Sequence, residues 1–399
     1  MAGLDFRKVL LCAVTLCFWF AQYVYVPFLT PYLLSLAISA TVAGAILGAY
    51  GVTQLILRIP LGLTLDIYRQ HKLVIQIGVL LAGLSSLGML LFPTPAMLFI
   101  SNAVSGVASS AWISFTILYT TYYESDRSTR AIGIINVFSQ SGILLAFLAG
   151  GLLSHFGIQA LFKVSFASGM VGAVLSLFIP QGRSRKGTNV TVASLLKVIR
   201  DRRVITFSLL RAVAWFVIFA TVYSFSTSTA KNLGATGTQL GIFLMLFSAG
   251  TVGGAYSIAT RFGHALGEKK PLIAGFAILT FYCVAIGLTT DLRLFYPLQL
   301  VCGLGNGLLT ASTMAFAIKN VDGEKKTTAM GCFQSIYCLG ITGGPAVMGV
   351  LIDHGGKQAA FCEVAIASLA CAVVVPFLYR GKFLSAKKNL GDGDAIAST

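Results

Sequence analysis

Two arginines, Arg58 and Arg211, stand inside long apolar segments of the chain. An arginine near the centre of a membrane-spanning helix costs about 2.5–3.5 kcal/mol on insertion scales, so something must compensate it. The planar guanidinium group binds carboxylates and phosphates through paired, charge-assisted hydrogen bonds. The two residues therefore predict a cavity with excess positive potential that binds an anionic or zwitterionic organic solute.

Aromatic and polar residues accompany the arginines at helical spacing. Gln54 precedes Arg58 by four residues, and Trp215 follows Arg211 by four, so each pair shares a helix face. All three tryptophans lie near mid-segment, where they would pack against the apolar parts of a solute. The candidate binding residues are Trp19, Gln22, Tyr23, Gln54, Arg58, Asn102, Trp112, Arg211, Trp215, Phe219, Asn306 and Tyr337.

Structural roles are also open for these residues. Arg58 precedes a Pro-x-Gly sequence and can bond helix-end carbonyl groups or Asp66. Arg211 can extend along its helix to the membrane surface, and buried tryptophans can simply fill a core. Both interpretations stay open at this point.

The composition is that of an integral membrane protein. Apolar residues make up 56% of the chain and charged residues 11%, whereas soluble proteins have about 25% charged residues. The net charge of +16 does not indicate nucleic-acid binding, because the basic residues separate apolar segments instead of gathering on a soluble domain. The four histidines are dispersed without metal-ligand spacing. We expect no metal site, no cofactor and no enzymatic activity.

Twelve apolar segments are long enough to cross a bilayer core of about 30 Å as helices. They predict an all-α membrane protein with two six-helix bundles, at residues 1–180 and 204–380. A central loop at 181–203 would join the bundles, and a tail at 381–399 would follow them. The predicted spans are 8–34, 40–65, 73–92, 96–122, 131–154, 158–180, 204–229, 237–260, 271–289, 294–318, 329–352 and 357–379.

The distribution of basic residues predicts the orientation. Most of the 29 lysines and arginines fall at the N-terminus, in the central loop, in the tail and in the connections on their side. Connections on the other side carry only Lys231, Arg293 and Lys357. Because basic residues are retained on the cytoplasmic side, both termini are predicted to be cytoplasmic.

A repeat relates the two halves of the chain. Residues 129–157 and 327–355 align without a gap at an offset of 198. Four of the identities between them are glycines, which need a packing or bending reason inside apolar helices. The repeat predicts two like-oriented bundles related by a pseudo-twofold axis, an arrangement typical of transporters. The identical pairs include Thr129/Thr327, Ala131/Ala329, Gly133/Gly331, Gly142/Gly340, Gly151/Gly349, Leu153/Leu351 and Gly157/Gly355.

The second span ends with Gly62, Asp66, Arg69 and Lys72, a glycine and an aspartate followed by a basic cluster. This pattern resembles the signature that the major facilitator superfamily carries between helices two and three. The resemblance implies that Gly62 allows close helix approach and that Asp66 and its basic partners latch the cytoplasmic side. Ile67 and Arg69 depart from the usual pattern.

The repeated glycine segment also resembles a pattern of that family, the antiporter motif of helix five. Helix eleven keeps its Gly-Pro pair as Gly344-Pro345, whereas helix five has Ala146-Phe147. We therefore expect helix eleven to bend more than helix five. The gating residues that the resemblance implies are Gly62, Asp66, Arg69, Lys72, Gly142, Gly151, Gly340, Gly344 and Pro345.

Together these features predict a monomeric transporter of this superfamily in a plasma membrane, the inner membrane if the source is bacterial. It would work by alternating access and export a small amphipathic, preferentially anionic solute. A proton or a counter-anion is the candidate coupling ion, although helices one, four, seven and ten contain no acidic residue. The alternatives are an exporter of cationic or neutral drugs, a membrane-embedded lipid-modifying enzyme and a sensor that does not transport.

Overall fold

The computed structural model describes residues 6–68, 70–123, 128–180, 201–259, 267–319, 321 and 326–380, which are helical apart from short connections. Most of the predicted central loop and the whole predicted tail lie outside these ranges.

Within these described ranges, twelve helices cross the membrane region, and each predicted boundary lies within three residues of the observed one. In the described chain, eleven continuous segments are long and apolar enough to span a bilayer, and the last contains two helices. Gly356, with φ 76°, divides that last segment. The helices are α1 (Phe6–Tyr23 and Val26–Ser35), α2 (Ala40–Tyr68), α3 (His71–Leu91), α4 (Pro95–Ser110 and Trp112–Thr120), α5 (Ser128–Leu153), α6 (Ile158–Leu177), α7 (Arg202–Ala220, Thr221–Phe225 and Ser226–Asn232), α8 (Gly237–Ala259), α9 (Lys269–Leu288), α10 (Phe295–Ile318), and α11 and α12 as the two parts of Lys326–Arg380.

Three helices contain breaks that their hydropathy does not predict. α1 is interrupted at residues 24–25, shortly before Pro27, which has no amide proton for a helical hydrogen bond. α4 is interrupted at Ala111. α7 contains a π-helical turn at Thr221–Phe225. Such turns are frequent at functional sites, and this one carries a residue of the central cavity described below.

Equivalent helix contacts recur in the two halves. A Cβ atom on Gly142 in α5 would meet the carbonyl oxygen of Leu16 in α1 at 2.7 Å. Gly340 in α11 lies against the carbonyl group of Ala212 in α7 in the same way. The two glycines are 198 residues apart, and their partners are 196 apart. The six-helix bundles α1–α6 and α7–α12 are thus related by a pseudo-twofold axis.

We call the side on which α1 begins the inner side and the side on which it ends the outer side. The bundles meet closely towards the outer side, where α2 packs on α11 and α5 on α8. A Cβ atom on Gly48 would meet the Thr342 carbonyl oxygen at 2.7 Å, and one on Gly241 would meet that of Phe147 at 2.6 Å. Near the inner end of α2, no described atom lies within 4 Å of a Cβ placed on Gly62. The close helix contact expected at Gly62 is therefore not found in the described structure.

An ion cluster holds together the inner end of the second bundle. Glu268, at the start of α9, pairs with Arg203 of α7 at 2.5 Å and with Lys319 of α10 at 2.8 Å. Tyr379 of α12 donates a hydrogen bond to the same carboxylate at 3.1 Å. Burial alone would raise the pKa of Glu268, but the hydrogen bonds and charges of Lys319 and Arg203 outweigh it and hold that pKa below its usual value.

A candidate binding site between the two bundles

A small cavity lies between the bundles at the middle of the helices. The volume that the centres of water molecules can occupy in it is about 50 Å³. This space suffices for a few waters but not for an organic solute. Tyr23 and Tyr50 line it from the first bundle, and Phe219 and Tyr223 line it from the second. The Tyr23 and Tyr223 ring centroids are 6.1 Å apart, and those of Tyr50 and Phe219 are 6.4 Å apart. The other lining residues are Gln22, Tyr25, Val26, Leu29, Leu47, Asn102, Ser105, Ser224 and Pro345.

Two of the predicted binding residues, Gln22 and Asn102, line the cavity but use their amide groups to brace the first bundle. Gln22 donates to the Ser105 carbonyl oxygen at 3.0 Å and accepts a hydrogen bond from the Ser105 hydroxyl. Asn102 donates to the carbonyl oxygens of Ile46 at 2.7 Å and Leu47 at 3.2 Å. These contacts tie α4 to α1 and α2, which is a structural role.

A layer of polar and aromatic side chains lies on the inner side of the cavity. Arg58 is eight residues inward of Tyr50 along α2, and Arg211 is eight residues inward of Phe219 along α7, or about 12 Å of helix in each case. We call this set the arginine layer; it consists of Gln54, Arg58, Arg211, Trp215, Asn306, Gln334 and Tyr337.

Arg58 links the two bundles. Its Nη2 donates to Gln54 Oε1 at 2.7 Å within α2. Its Nη1 donates across the interface to the Tyr337 hydroxyl at 2.9 Å and to Gln334 Oε1 at 3.2 Å, both on α11. The buried guanidinium thus has three neutral acceptors, whereas the sequence suggested helix-end carbonyl groups or Asp66. The Asp66 side chain lies outside the described part of the structure.

Arg211 is contained within the second bundle and is only 2% exposed. Its Nη1 donates to Asn306 Oδ1 at 3.1 Å, and its Cζ lies 4.1 Å from the centroid of the Trp215 ring. The side chain therefore does not extend to the membrane surface, and that alternative is wrong. Asn306 is itself held by a 3.2 Å hydrogen bond from its amide to the Thr251 hydroxyl.

The arginine layer and the nearby Trp19 have buried N–H donors that lack acceptors in the described structure. Four buried N–H groups have no acceptor among the described residues: Arg58 Nε, Arg211 Nη2, Trp19 Nε1 and Trp215 Nε1. No ion pair in the described part of the chain involves either arginine. Because unpaired buried donors and an uncompensated positive charge are costly, the arrangement favours a ligand that brings acceptor oxygens and negative charge.

The three tryptophans do not form one surface. Trp19 and Trp112 pack edge to face in the first bundle, with ring centroids 5.3 Å apart. Trp215 packs on Phe219 of the same helix, with centroids 5.2 Å apart, and on Arg211. None of the three lines the small cavity between the bundles. The expectation of a single tryptophan-lined cavity is corrected to a tryptophan pair in one bundle and a tryptophan–arginine stack in the other.

The structure therefore divides the predicted binding residues among three places. Gln22, Tyr23, Asn102 and Phe219 line the cavity, the tryptophan pair packs in the first bundle, and the remainder form the arginine layer. Three neighbours were not among the candidate binding residues: Gln334, Tyr50 and Tyr223. In the sequence, Tyr50 and Tyr223 share helix faces with Gln54 and Phe219, and Gln334 lies three residues from Tyr337 on the same helix. Among the described residues, no three His, Cys, Asp or Glu side chains come close enough to hold a metal ion.

The predicted gating glycines other than Gly62 pack at close helix contacts. A Cβ on Gly151 would meet Thr238 of α8 at 3.4 Å, and Gly344 lies against the carbonyl group of Phe216 in α7. Pro345 lines the cavity. Lys72 donates to the Leu177 carbonyl oxygen at 3.0 Å. The Arg69 side chain, like that of Asp66, lies outside the described structure.

The model of the Major Facilitator Superfamily matches residues 11–255 and 207–396. The chain belongs to the Major Facilitator Superfamily. It is a multi-pass membrane transporter with the twelve-helix fold of that superfamily, and its family and relatives are transporters, not enzymes.

Several superfamily members resemble the whole chain. Multidrug resistance protein 2 of Bacillus subtilis is 25% identical over 352 residues, covering 82% of this chain and 84% of its own. Quinolone resistance protein NorA of Staphylococcus aureus is 23% identical over 361 residues, covering 88% and 90%. The crystal structure of the nucleoside transporter NupG has a TM-score of 0.77 at 15% identity, covering 94% of this chain and all of its own. A likeness at that identity shows the fold alone.

Proposed function

We propose that this transporter exports small amphipathic organic anions by alternating access. The inner side is then the cytoplasmic side of a plasma membrane, with both chain termini cytoplasmic, and the protein acts as a monomer. The distribution of basic residues supports this orientation.

The surplus of buried donors carries the proposal. Arg211 retains an N–H group without an acceptor, Arg58 retains another, and the Trp215 N–H lies beside Arg211. A carboxylate, sulfonate or phosphate oxygen would pair with these groups and compensate the buried charge. An uncharged or cationic solute would leave both arginines uncompensated.

The position of the apolar surfaces suggests how such a solute would lie. Tyr50 and Phe219 offer ring faces on the outer side of the arginine layer. The Trp19–Trp112 pair extends the aromatic surface in the first bundle. The anionic group would contact Arg211, and the apolar body would pack on these rings.

Closed outer contacts support a cycle in which the bundles separate. The cavity is too small for an organic solute, so entry requires the bundles to part at the arginine layer. The cross-bundle bonds from Arg58 to Tyr337 and Gln334 would then break, and water would replace their acceptors while the anion contacts Arg211. Release would require the α2–α11 and α5–α8 contacts to open towards a second cavity of about 830 Å³ at the outer ends of α1, α6, α7 and α8.

Export of cationic or neutral drugs is a second candidate. The names of two relatives, a multidrug resistance protein and a quinolone resistance protein, favour it, and they also favour the outward direction. It differs from the first candidate in the charge of the cargo.

Flux into proteoliposomes separates the two. One aromatic scaffold would be supplied as its carboxylate, its primary amide and its amine. Each compound is added outside the vesicles and is taken up by those protein molecules whose inner side faces outwards. We expect the carboxylate to move at least tenfold faster than the amide, because one charge-assisted hydrogen bond contributes about 1.5–3 kcal/mol. Faster movement of the amine would overturn the anionic proposal in favour of drug export, and empty vesicles give the passive rate.

A further inference from the structure

A carboxylate of the second bundle caps a helix of the first bundle on the outer side. Asp353, near the end of α11, accepts hydrogen bonds from the backbone amides of Ala40 at 3.1 Å and Thr41 at 2.7 Å. These are the first amides of α2, which have no partner within their own helix. A carboxylate also interacts favourably with the positive end of a helix dipole.

This bond lies at one end of the outer contact between the bundles. The backbone of α11 at Gly349 touches the carbonyl group of Ala40, and α2 touches the carbonyl group of Pro345 at Gly44. Asp353 is exposed, so a proton from the outer solution can reach it. Separation of α2 from α11 at this end must break both amide hydrogen bonds.

The pseudo-equivalent contact between α5 and α8 is built differently. At the repeat offset of 198, His155 takes the place of Asp353 and Thr238 that of Ala40. α8 caps its own start, because Thr236 N donates to Gln239 Oε1 at 2.8 Å and Gln239 N to Thr236 Oγ1 at 3.3 Å. At the α2–α11 contact a carboxylate thus accepts hydrogen bonds across the bundle interface, whereas the start of α8 is capped by its own residues.

We propose that Asp353 is a proton-binding site that latches the outer closure. The ionised carboxylate holds α2 against α11. A proton from the outer solution removes its charge and converts one acceptor oxygen into a hydroxyl. The group can then no longer accept hydrogen bonds from both amides. Acid on the outer side then favours outward opening. The inference does not depend on the identity of the cargo.

The titratable groups around Asp353 are few. Residues 36–49, which form the connection into α2 and its first turns, contain none. On the α11 side the adjacent His354 has its ring Nδ1 2.9 Å from the Val350 carbonyl oxygen. α12 brings Lys357 and Glu363. A variant at Asp353 itself therefore separates its titration from theirs.

Double electron–electron resonance on the full chain in nanodiscs tests the latch. Spin labels at Leu36 and Gln358, attached through non-cysteine chemistry because the chain has eight cysteines, report the distance between outer ends of the two bundles. An aspartate carboxylate has a pKa of about 3.9, and amide hydrogen bonds to its ionised form lower that pKa further. The measurement therefore runs from pH 8 to pH 3 without cargo. In the parent protein we expect the long-distance population to rise about two- to fivefold on acidification, the size of a helix-end charge interaction.

Variants identify the group responsible. Asp353→Asn should show the raised long-distance population already at pH 8 and no further change with pH. Ser39→Ala is the matched control: it removes the 3.3 Å hydrogen bond from Val42 N to the Ser39 hydroxyl, which caps α2 from within its bundle, and should keep the pH response. A parent protein without an acid response, or an Asp353→Asn protein that keeps it, would overturn the proposal. If the variant does not fold, the pH titration of the parent protein alone tests the proposal.

Discussion

Arg58 and Arg211 lie at similar depths on opposite sides of the bundle interface, yet their surroundings differ. Arg58 donates to three acceptors, two of them on the other bundle, and retains one unpaired Nε. Arg211 has one acceptor, Asn306 of its own bundle, and stacks on Trp215 with Nη2 unpaired. The first arginine joins the bundles, and the second has the open donor to which the proposed anion would bind.

The repeat does not produce this difference, because neither arginine has a basic counterpart. The offset of 198 places Tyr256, which is 72% exposed, at the position equivalent to Arg58. The offset of 196 places Thr15, whose hydroxyl donates to the Leu11 carbonyl oxygen at 2.8 Å, opposite Arg211. Duplication accounts for the paired helix contacts, but the charge of the layer comes from positions at which the two halves differ.

Replacement of Arg211 should have the largest effect. Arg211→Gln removes the charge and the open donor, so the affinity for an anionic cargo should fall about ten- to a hundredfold, the range of one charge-assisted hydrogen bond. Isothermal titration of the detergent-purified protein measures this affinity. Arg211→Lys keeps the charge but loses the planar donor fork and the stacking, and it should lie between the parent and Arg211→Gln. An unchanged affinity in a folded Arg211→Gln protein would contradict the distinction between the arginines.

Replacement of Arg58 should act on conformation more than on affinity. Arg58→Gln loses two cross-bundle hydrogen bonds of about 1 kcal/mol each, so the inner-open population should rise fivefold or more while affinity falls only two- to fivefold. Spin labels at Tyr68 and Lys319, at inner ends of opposite bundles, report the population. If affinity falls more than in Arg211→Gln, the roles assigned to the two arginines are reversed.

Replacement of the tryptophans should have smaller effects on the affinity for the anion. Trp215→Phe weakens the cation–π contact with Arg211 and removes an unpaired N–H, and should lower the affinity for the anion about two- to tenfold. Trp19→Phe, in the pair with Trp112, should lower it by less than about twofold. Parallel titrations of the two variants give this ratio, and equal losses would mean that Trp215 acts only as apolar surface.

The ion cluster at Glu268 should affect stability without changing cargo preference. Glu268→Gln should destabilise the protein by about 1–3 kcal/mol at neutral pH, since hydrogen bonds to charged groups contribute that much. Because the folded-state pKa of Glu268 is lowered, its contribution is present above the unfolded pKa and lost as pH falls through the folded one. Thermal unfolding of parent and variant should therefore converge in acid. A difference in thermal stability that persists in acid would show that Glu268 stabilises the protein by packing rather than by its charge.

Sequence predicted the helices and their duplication well, because apolar length and glycine spacing are local properties. Residues 129–157 and 327–355 indicated the symmetry that the contacts of Gly142 and Gly340 confirm. The breaks at residues 24–25 and Ala111 and the π-helical turn in α7 were not predicted. Hydropathy averages over whole segments and does not report where a helix turn changes its hydrogen bonds.

The chemistry of the layer was predicted only in part. Both arginines were identified from the cost of a charge in an apolar segment. Gln334 and the Asp353 cap were not identified, because each depends on which helix of one bundle faces which helix of the other. The greater bend expected in α11 than in α5 stays a prediction.

The most direct measurement compares the binding of an aromatic carboxylate and its primary amide to the parent, Arg211→Gln and Arg58→Gln proteins in nanodiscs. We predict that the parent binds the carboxylate at least tenfold more tightly, that Arg211→Gln loses this preference and that Arg58→Gln keeps most of it. A preference that survives in Arg211→Gln, or a parent protein that binds the amide as tightly as the acid, would contradict the account.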